Sequence, residues 1–181
     1  HGPCGLGKTH LLRGIAARFR EHNPGATVLY LPAETFTNDY IADVRSGRIE
    51  AFRKKYREVD LLCLDDVQFF SSKPQTQTEL LHTFDAIDLS GARLVLASDE
   101  HRRQVGKLSN SLVSRFMSGM VVKIDPPEPA LREKIVAKLA ERRGLKLDAA
   151  GCALVAVRCG GAAGGGGAAV GSVRDIEGAL T

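Results

Sequence analysis

The chain has no Cys-x-x-Cys pair, no long apolar run and no heavy excess of either charge. The four cysteines, Cys4, Cys63, Cys152 and Cys159, stand at spacings that match neither a zinc site nor a disulfide framework. That sets aside a metal-stapled or disulfide-stapled scaffold and points to a reducing, cytoplasmic setting. Cys63 lies inside an apolar run, where a thiol behaves as a small buried hydrophobe. No apolar stretch approaches the roughly 18 residues that a bilayer crossing takes, so no membrane span is expected. The first residues already form a motif rather than a basic and apolar leader, so no signal peptide is expected. The net charge of +4 permits an anionic partner without demanding one. What is present is the balance of a globular protein, 44% hydrophobic and 25% charged, in place of the composition of a disordered one. The 181 residues suffice for one domain, or one domain with a small appendage.

Apolar spacing separates helices from strands. Leu11, Leu12, Ile15, Ala16 and Phe19 recur at helical intervals, and Asn23-Pro24-Gly25 stops the run. Thr27 to Leu31 predicts a strand. A helix follows over about Glu34 to Val44, then another with Ile49, Phe52 and Tyr56 on one face. Leu61 to Leu64 is a compact apolar run that ends in Asp65-Asp66, a buried strand. Leu80, Leu81, Phe84 and Ile87 mark a helix, Leu94 to Ala97 a strand, Leu112 and Phe116 a short helix, and Met120 to Ile124 a further strand. Strands alternating with helices predict an α/β fold, a parallel sheet flanked by helices. After Pro126-Pro127 only helical patterns occur: Leu131, Ile135 and Leu139 on a charged helix, a second near Asp148 to Arg158, a third beginning near Ser172. The expected division is an α/β nucleotide-binding part over 1–127 and a small helical lid over 128–181. Gly160 to Gly171 contains only Gly, Ala and one Val; such a stretch buries little and is costly to order, so a flexible inserted loop is expected.

Gly2-Pro3-Cys4-Gly5-Leu6-Gly7-Lys8-Thr9 fits the phosphate-loop pattern GxxxxGK[ST] in full. Glycines let the backbone wrap closely enough for its N–H groups to face phosphate oxygens, and the helix that starts at Lys8-Thr9 adds the positive end of its dipole. Lys8 is expected to reach the β and γ phosphates and the Thr9 hydroxyl to ligate magnesium. A chance glycine-rich turn would not run at once into an amphipathic helix. The second half of such a site is an acid at the carboxyl end of a buried strand, where α/β sheets bind ligands. Leu61 to Leu64 followed by Asp65-Asp66 supplies it. Asp65 is the candidate for the magnesium sphere and Asp66 for orienting or deprotonating the attacking water. Such a loop ordinarily connects a strand to a helix and nothing precedes His1, so the first strand is expected to be missing and the chain to be a fragment.

Gly5-Leu6-Gly7-Lys8-Thr9-His10-Leu11-Leu12, Leu64-Asp65-Asp66-Val67-Gln68-Phe69-Phe70 and His82-Thr83-Phe84 closely resemble the ATPase domain of the bacterial replication initiator DnaA family. Ala97-Ser98-Asp99, Ser114-Arg115-Phe116 and Val173-Arg174-Asp175-Ile176-Glu177-Gly178-Ala179-Leu180 continue the likeness in order. It covers nearly the whole chain. The loop and acid motifs mark only the broad AAA+ class; the segments DDVQFF and VRDIEGAL are far more specific. The resemblance implies ATP and Mg2+ as cofactors, held by Gly2, Gly5, Gly7, Lys8, Thr9 and His10 with Asp65. It also implies that Asp99 is sensor 1 and that Arg174 is sensor 2, a further nucleotide contact. Arg115 matches the arginine finger, which reaches the γ phosphate of a neighbouring subunit and there stabilises the charge spread during phosphoryl transfer.

A finger acting in trans implies head-to-tail contacts, which generate a ring or an open helix; the family assembles as a helical filament when ATP-bound. Positions that match the family's single-stranded DNA contacts are Ile41, Lys73 and Thr76, and Arg53, Lys54, Lys55 and Arg57 add positive charge suited to a phosphate backbone. Two positions depart from the family: Gln75 stands where a basic residue is common, and Ser111 where a second arginine often precedes the finger. The expected function is an ATP-dependent initiator of chromosomal replication. Assembly on origin DNA opens the duplex and slow hydrolysis resets the switch. Double-stranded origin DNA and the replicative helicase or its loader are expected partners through regions outside this stretch. The alternatives are a related regulator or helicase loader that acts through protein partners, and a metabolic P-loop kinase.

Overall fold

The computed structural model describes residues 1–99, 108–161 and 171–181. It divides into two compact units, one formed by His1 with Lys8–Val122 and the other by Gly2–Gly7 with Lys123–Thr181. The expected division at residue 127 does not separate the glycine loop from the helix that follows it, whereas these units do.

The first unit is built on a parallel sheet of β1 (Val28–Pro32), β2 (Leu61–Asp65) and β3 (Arg93–Leu96) in that order. All five residues of β2 are buried, as a strand covered on both faces must be. The two-residue period then sorts its side chains. Leu61 and Cys63 meet Leu12 and Ala16 of α1 (Lys8–His22) together with Ala97. Leu62 and Leu64 join a larger core with Phe36, Phe52, Tyr56, Phe70, Leu80, Ile87 and Leu112. That core is supplied by α2 (Ala33–Arg45), α3 (Ile49–Arg57), a 3-10 turn at Val67–Ser72, α4 (Pro74–Ser90) and α5 (Asn110–Ser118). Burial pushes the Cys63 thiol up to about 11, which keeps it the inert apolar group its surroundings require. The α/β fold with a parallel sheet flanked by helices is the one its alternating pattern predicts.

The second unit is helical. α6 (Pro129–Arg142), α7 (Ala149–Gly161) and α8 (Val173–Ala179) enclose Val136, Cys152, Ala156, Cys159 and Ile176. Ser172 starts α8 with a capping box: its hydroxyl accepts from the Asp175 amide and the Asp175 carboxylate accepts from the Ser172 amide, so two otherwise orphaned donors are satisfied. No helix among the described residues is long and apolar enough to cross a membrane.

The predicted strand over Met120 to Ile124 does not form; the segment has no regular structure. A strand exists only through its ladder, and among the described residues the sheet consists of β1, β2 and β3. Met120 is 93% and Val122 58% exposed, so the apolar alternation has no face to bury. The 3-10 turn at Val67–Ser72 was not foreseen, since it is too short to show a period. The loop expected over Gly160 to Gly171 falls largely on residues 162–170, outside the described residues.

Candidate functional site

In the first unit the chemistry gathers where the parallel strands end. β2 pairs with β3 from Leu61 opposite Arg93 to Leu64 opposite Leu96. The ladder is carried further by Ala97, whose amide donates to the Leu64 carbonyl (2.9 Å) and whose carbonyl accepts from the Val67 amide (3.0 Å). Ser98 and Asp99 therefore leave the sheet beside Asp66, Val67 and Gln68. Lys8, in the first turn of α1 and 6% exposed, places its Nζ 2.5 Å from Asp99 Oδ1. Burying an ammonium is costly unless it is paired, and the Asp99 carboxylate beyond the end of β3 pairs with it.

Asp65 closes β2 at 4% exposure. Its Oδ2 accepts from the Tyr30 hydroxyl across the β1–β2 pair (3.1 Å) and its Oδ1 from the Asp66 amide (3.1 Å). Burial, with the neighbouring Asp65 carboxylate, pushes the Tyr30 phenol above its ordinary value against the pull of Arg13, so Tyr30 remains a donor. Asp66 is exposed and is the only described non-glycine residue with a positive φ, 55°. That left-handed bend is one a short polar side chain tolerates, and it turns the second carboxylate out of the strand. Gln68 then connects the acids: Nε2 donates to Asp66 Oδ1 (3.0 Å) and Asp99 Oδ2 (3.4 Å). Neither Gln68 nor Tyr30 was singled out from the sequence. Gln68 lies within the DDVQFF segment, two residues after Asp66, but the register that brings Tyr30 against Asp65 has no sequence signal.

In the second unit the glycines of the loop have separate reasons. A Cβ on Gly2 would lie 2.3 Å from the Ile124 carbonyl oxygen, and one on Gly5, which has φ +82°, would lie 2.9 Å from Ser172 Oγ. Gly7 meets nothing but takes φ +83°, so backbone conformation alone requires it. Arg174 packs on this loop: its amide donates to the Gly5 carbonyl (3.3 Å) and its Nη1 to Cys4 Sγ (3.1 Å).

Thr9 and His10 are exposed; His10 lies beside Leu11 and Ile15 in an open depression along α1. The fit to the implied cofactors rests on the donor set. One buried carboxylate, Asp65, and one exposed hydroxyl, Thr9, are hard oxygen donors of the kind Mg2+ takes when phosphates and water complete its sphere. Groups of three or more His, Cys, Asp or Glu that could hold a metal alone do not occur among the described residues, and magnesium held with a nucleotide does not need one.

Arg115, 44% exposed in α5, pairs through Nη2 with Asp85 Oδ1 of α4 (2.8 Å). Of the expected DNA contacts, Ile41 is exposed on α2, and Lys73 lies over the Phe69 ring and donates to the Phe69 carbonyl. Thr76 is different: at 3% exposure it faces the interior from the first turn of α4, whose start is set by Pro74. The basic run on α3 is also less available than its sequence suggests. Arg57 meets Glu79 at 2.6 Å, Arg53 meets Glu50 at 2.6 Å and Glu79 at 3.7 Å, and Lys55 meets Asp39 at 2.6 Å.

An enclosed lysine at the start of α1, paired at the ends of two adjacent parallel strands that carry acids and preceded in the sequence by the full glycine pattern, defines a P-loop domain of the AAA+ class. Within that class the chain belongs to the bacterial DnaA ATPase domain family, which matches residues 1–123. Solved structures agree over almost its whole length. Domain III of the replication initiation protein DnaA from Thermotoga maritima is 35% identical with a TM-score of 0.88, over 98% of this chain and 70% of that one. A replication initiator DnaA bound to AMPPCP and single-stranded DNA is 33% identical with a TM-score of 0.84, over 99% of this chain and 52% of that one. AMPPCP-bound DnaA from Aquifex aeolicus is 34% identical with a TM-score of 0.83, over 98% and 51%. The chain thus spans about half the length of the longer relatives.

Proposed function

We propose that this chain is the nucleotide switch of a chromosomal replication initiator: it binds ATP with Mg2+, assembles with further copies on single-stranded origin DNA, and hydrolyses ATP slowly to reset. The observation that carries the reading is the 2.5 Å contact between Lys8 and Asp99 at the strand ends where Asp65 and Asp66 emerge. In this reading Lys8 exchanges part of its pairing with Asp99 for phosphate oxygens, and the loop amides that lead into it bind the same anion. Asp65 and Thr9 are the magnesium donors. Asp66, bent outward and exposed, orients or deprotonates the attacking water. Asp99, already placed against the lysine, senses the γ phosphate. The loop contacts of Arg174 support its assignment as a further nucleotide contact.

Arg115 is the finger in trans. Its half-exposed pairing with Asp85 is compatible with this, because the guanidinium is the more open partner and can exchange the carboxylate for phosphate. Hydrolysis is the timer, and binding and assembly do the work. Of the DNA contacts, Ile41 is exposed, Lys73 is half-buried and would have to leave the Phe69 ring and carbonyl to reach a phosphate, and Thr76 could act only through its backbone. Partners engaged by the whole protein, double-stranded origin DNA and the replicative helicase or its loader, belong to regions beyond this stretch, and the setting is the cytoplasm. The decisive test is the specific ATPase rate against protein concentration. It should rise as subunits meet; a flat rate would remove the trans role of Arg115 and favour a self-contained P-loop enzyme.

A further inference from the structure

Gln68 makes four contacts with one side-chain amide, all to groups at the two strand ends. Its Nε2 donates to Asp66 Oδ1 and Asp99 Oδ2, and its Oε1 accepts from the Asp99 amide (3.2 Å) and the Ser98 hydroxyl (3.3 Å). The donating half must face the carboxylates and the accepting half the amide and hydroxyl, so the orientation of the group is fixed by its partners. Gln68 is only part-buried, so core packing does not account for it. Asp66 projects from a left-handed backbone position, and Gln68 ties its exposed carboxylate to the strand that also carries the partner of Lys8.

We propose that Gln68 is a positioning residue for ATP hydrolysis, holding Asp66 and Asp99 in one fixed arrangement. This rests on the ATPase reading above. No other side chain supplies the set: asparagine is one methylene shorter, glutamate lacks the donor, and methionine lacks both donor and acceptor. A base displaced by an ångström loses most of its advantage, roughly a hundredfold in rate, whereas nucleotide binding through the loop and Lys8 does not depend on where Asp66 points.

The experiment compares wild type with Gln68→Glu and Gln68→Met in the protein. Fold is checked by circular dichroism, ATP affinity by titration, and hydrolysis by single-turnover conversion of labelled ATP. Gln68→Met, which adds no charge, should remain folded and bind ATP within about threefold of wild type, yet hydrolyse it at least roughly tenfold more slowly. Gln68→Glu should lose at least as much rate at saturating ATP, its added charge also weakening ATP binding at high pH. As pH is lowered from about 8 to about 6, Gln68→Glu should recover relative to wild type. A third carboxyl beside two others has a raised pKa, and once protonated it regains a donor. Gln68→Met should not recover. Variants that hydrolyse at the wild-type rate would overturn the inference, as would hydrolysis that falls only in step with lost ATP binding. A wild type that binds ATP but never hydrolyses it would instead sink the ATPase reading itself.

Discussion

Asp66 carries two demands at once: a left-handed backbone, φ 55°, and an outward carboxylate held by Gln68. Such a conformation costs most residues about 1 kcal/mol or more, and asparagine bears it as readily as aspartate. Asp66→Asn should therefore melt within a few degrees of wild type and still bind ATP, while single-turnover hydrolysis falls by roughly two orders of magnitude or more. Hydrolysis at the normal rate would remove Asp66 as the group that handles the attacking water. At this scale the sequence was informative about identity and silent about contact. The apolar run before Asp65-Asp66 announced a strand ending in carboxylates. The hydrogen bonds of Gln68 and Tyr30 depend on how adjacent strands are registered, which one chain read alone does not display.

Elements were legible where a period could build up. α1, α2, α4 and α6 bury one face over several turns, and their apolar spacing is visible. The segment after α5 misled, because alternation describes a strand only if a ladder partner is present. The core beneath α2 and α3 has its own test. Phe36 is fully buried, with ring centroids 5.1 Å from Phe52, 4.8 Å from Tyr56 and 5.8 Å from Phe70. Phe36→Ala should cost about 3–5 kcal/mol in urea unfolding; a loss below about 1 kcal/mol would mean the cluster is not packed as described. The same helices are joined by Asp39, which accepts from Tyr56 and Lys55, each at 2.6 Å. Burial opposes the Asp39 charge, but these donors outweigh it and hold the carboxyl below its ordinary 3.8. A depressed folded-state pKa gives stability that is present above about pH 4 and lost as pH falls through the folded value. Asp39→Ala should thus destabilise near neutral pH, by about 1 kcal/mol given its partial exposure. The gap to wild type should close below about pH 4, and a gap that stays constant into acid would contradict the pairing.

For the whole molecule, the proposal that one copy acts on another through Arg115 has its own test. Arg115→Ala removes a half-exposed ion pair with Asp85, so folding should hold to within about 1–2 kcal/mol and ATP binding should be retained. ATP-dependent assembly, followed by light scattering or sedimentation, should weaken at least tenfold; unchanged assembly would refute the finger. No periodicity or charge count marks Arg115 or Arg174 as special. They became visible only through their place in longer segments shared with a family, whereas the loop glycines show their purpose in φ values and close approaches. Lys73 and the bases of α3 show the opposite limit: positive charge is plain in the sequence, but what already engages it, the Phe69 ring and carbonyl for Lys73 and Asp39, Glu50 and Glu79 for α3, is a property of the folded chain.

The central claim is that Lys8 and Asp65 serve one magnesium-bound triphosphate. Calorimetric titration of ATP with and without magnesium into wild type, Lys8→Ala and Asp65→Asn tests it most directly. Wild type should bind in a magnesium-dependent manner, Lys8→Ala should show no binding, and Asp65→Asn should bind ATP without responding to magnesium. Wild-type affinity and magnesium response in both variants would contradict the claim.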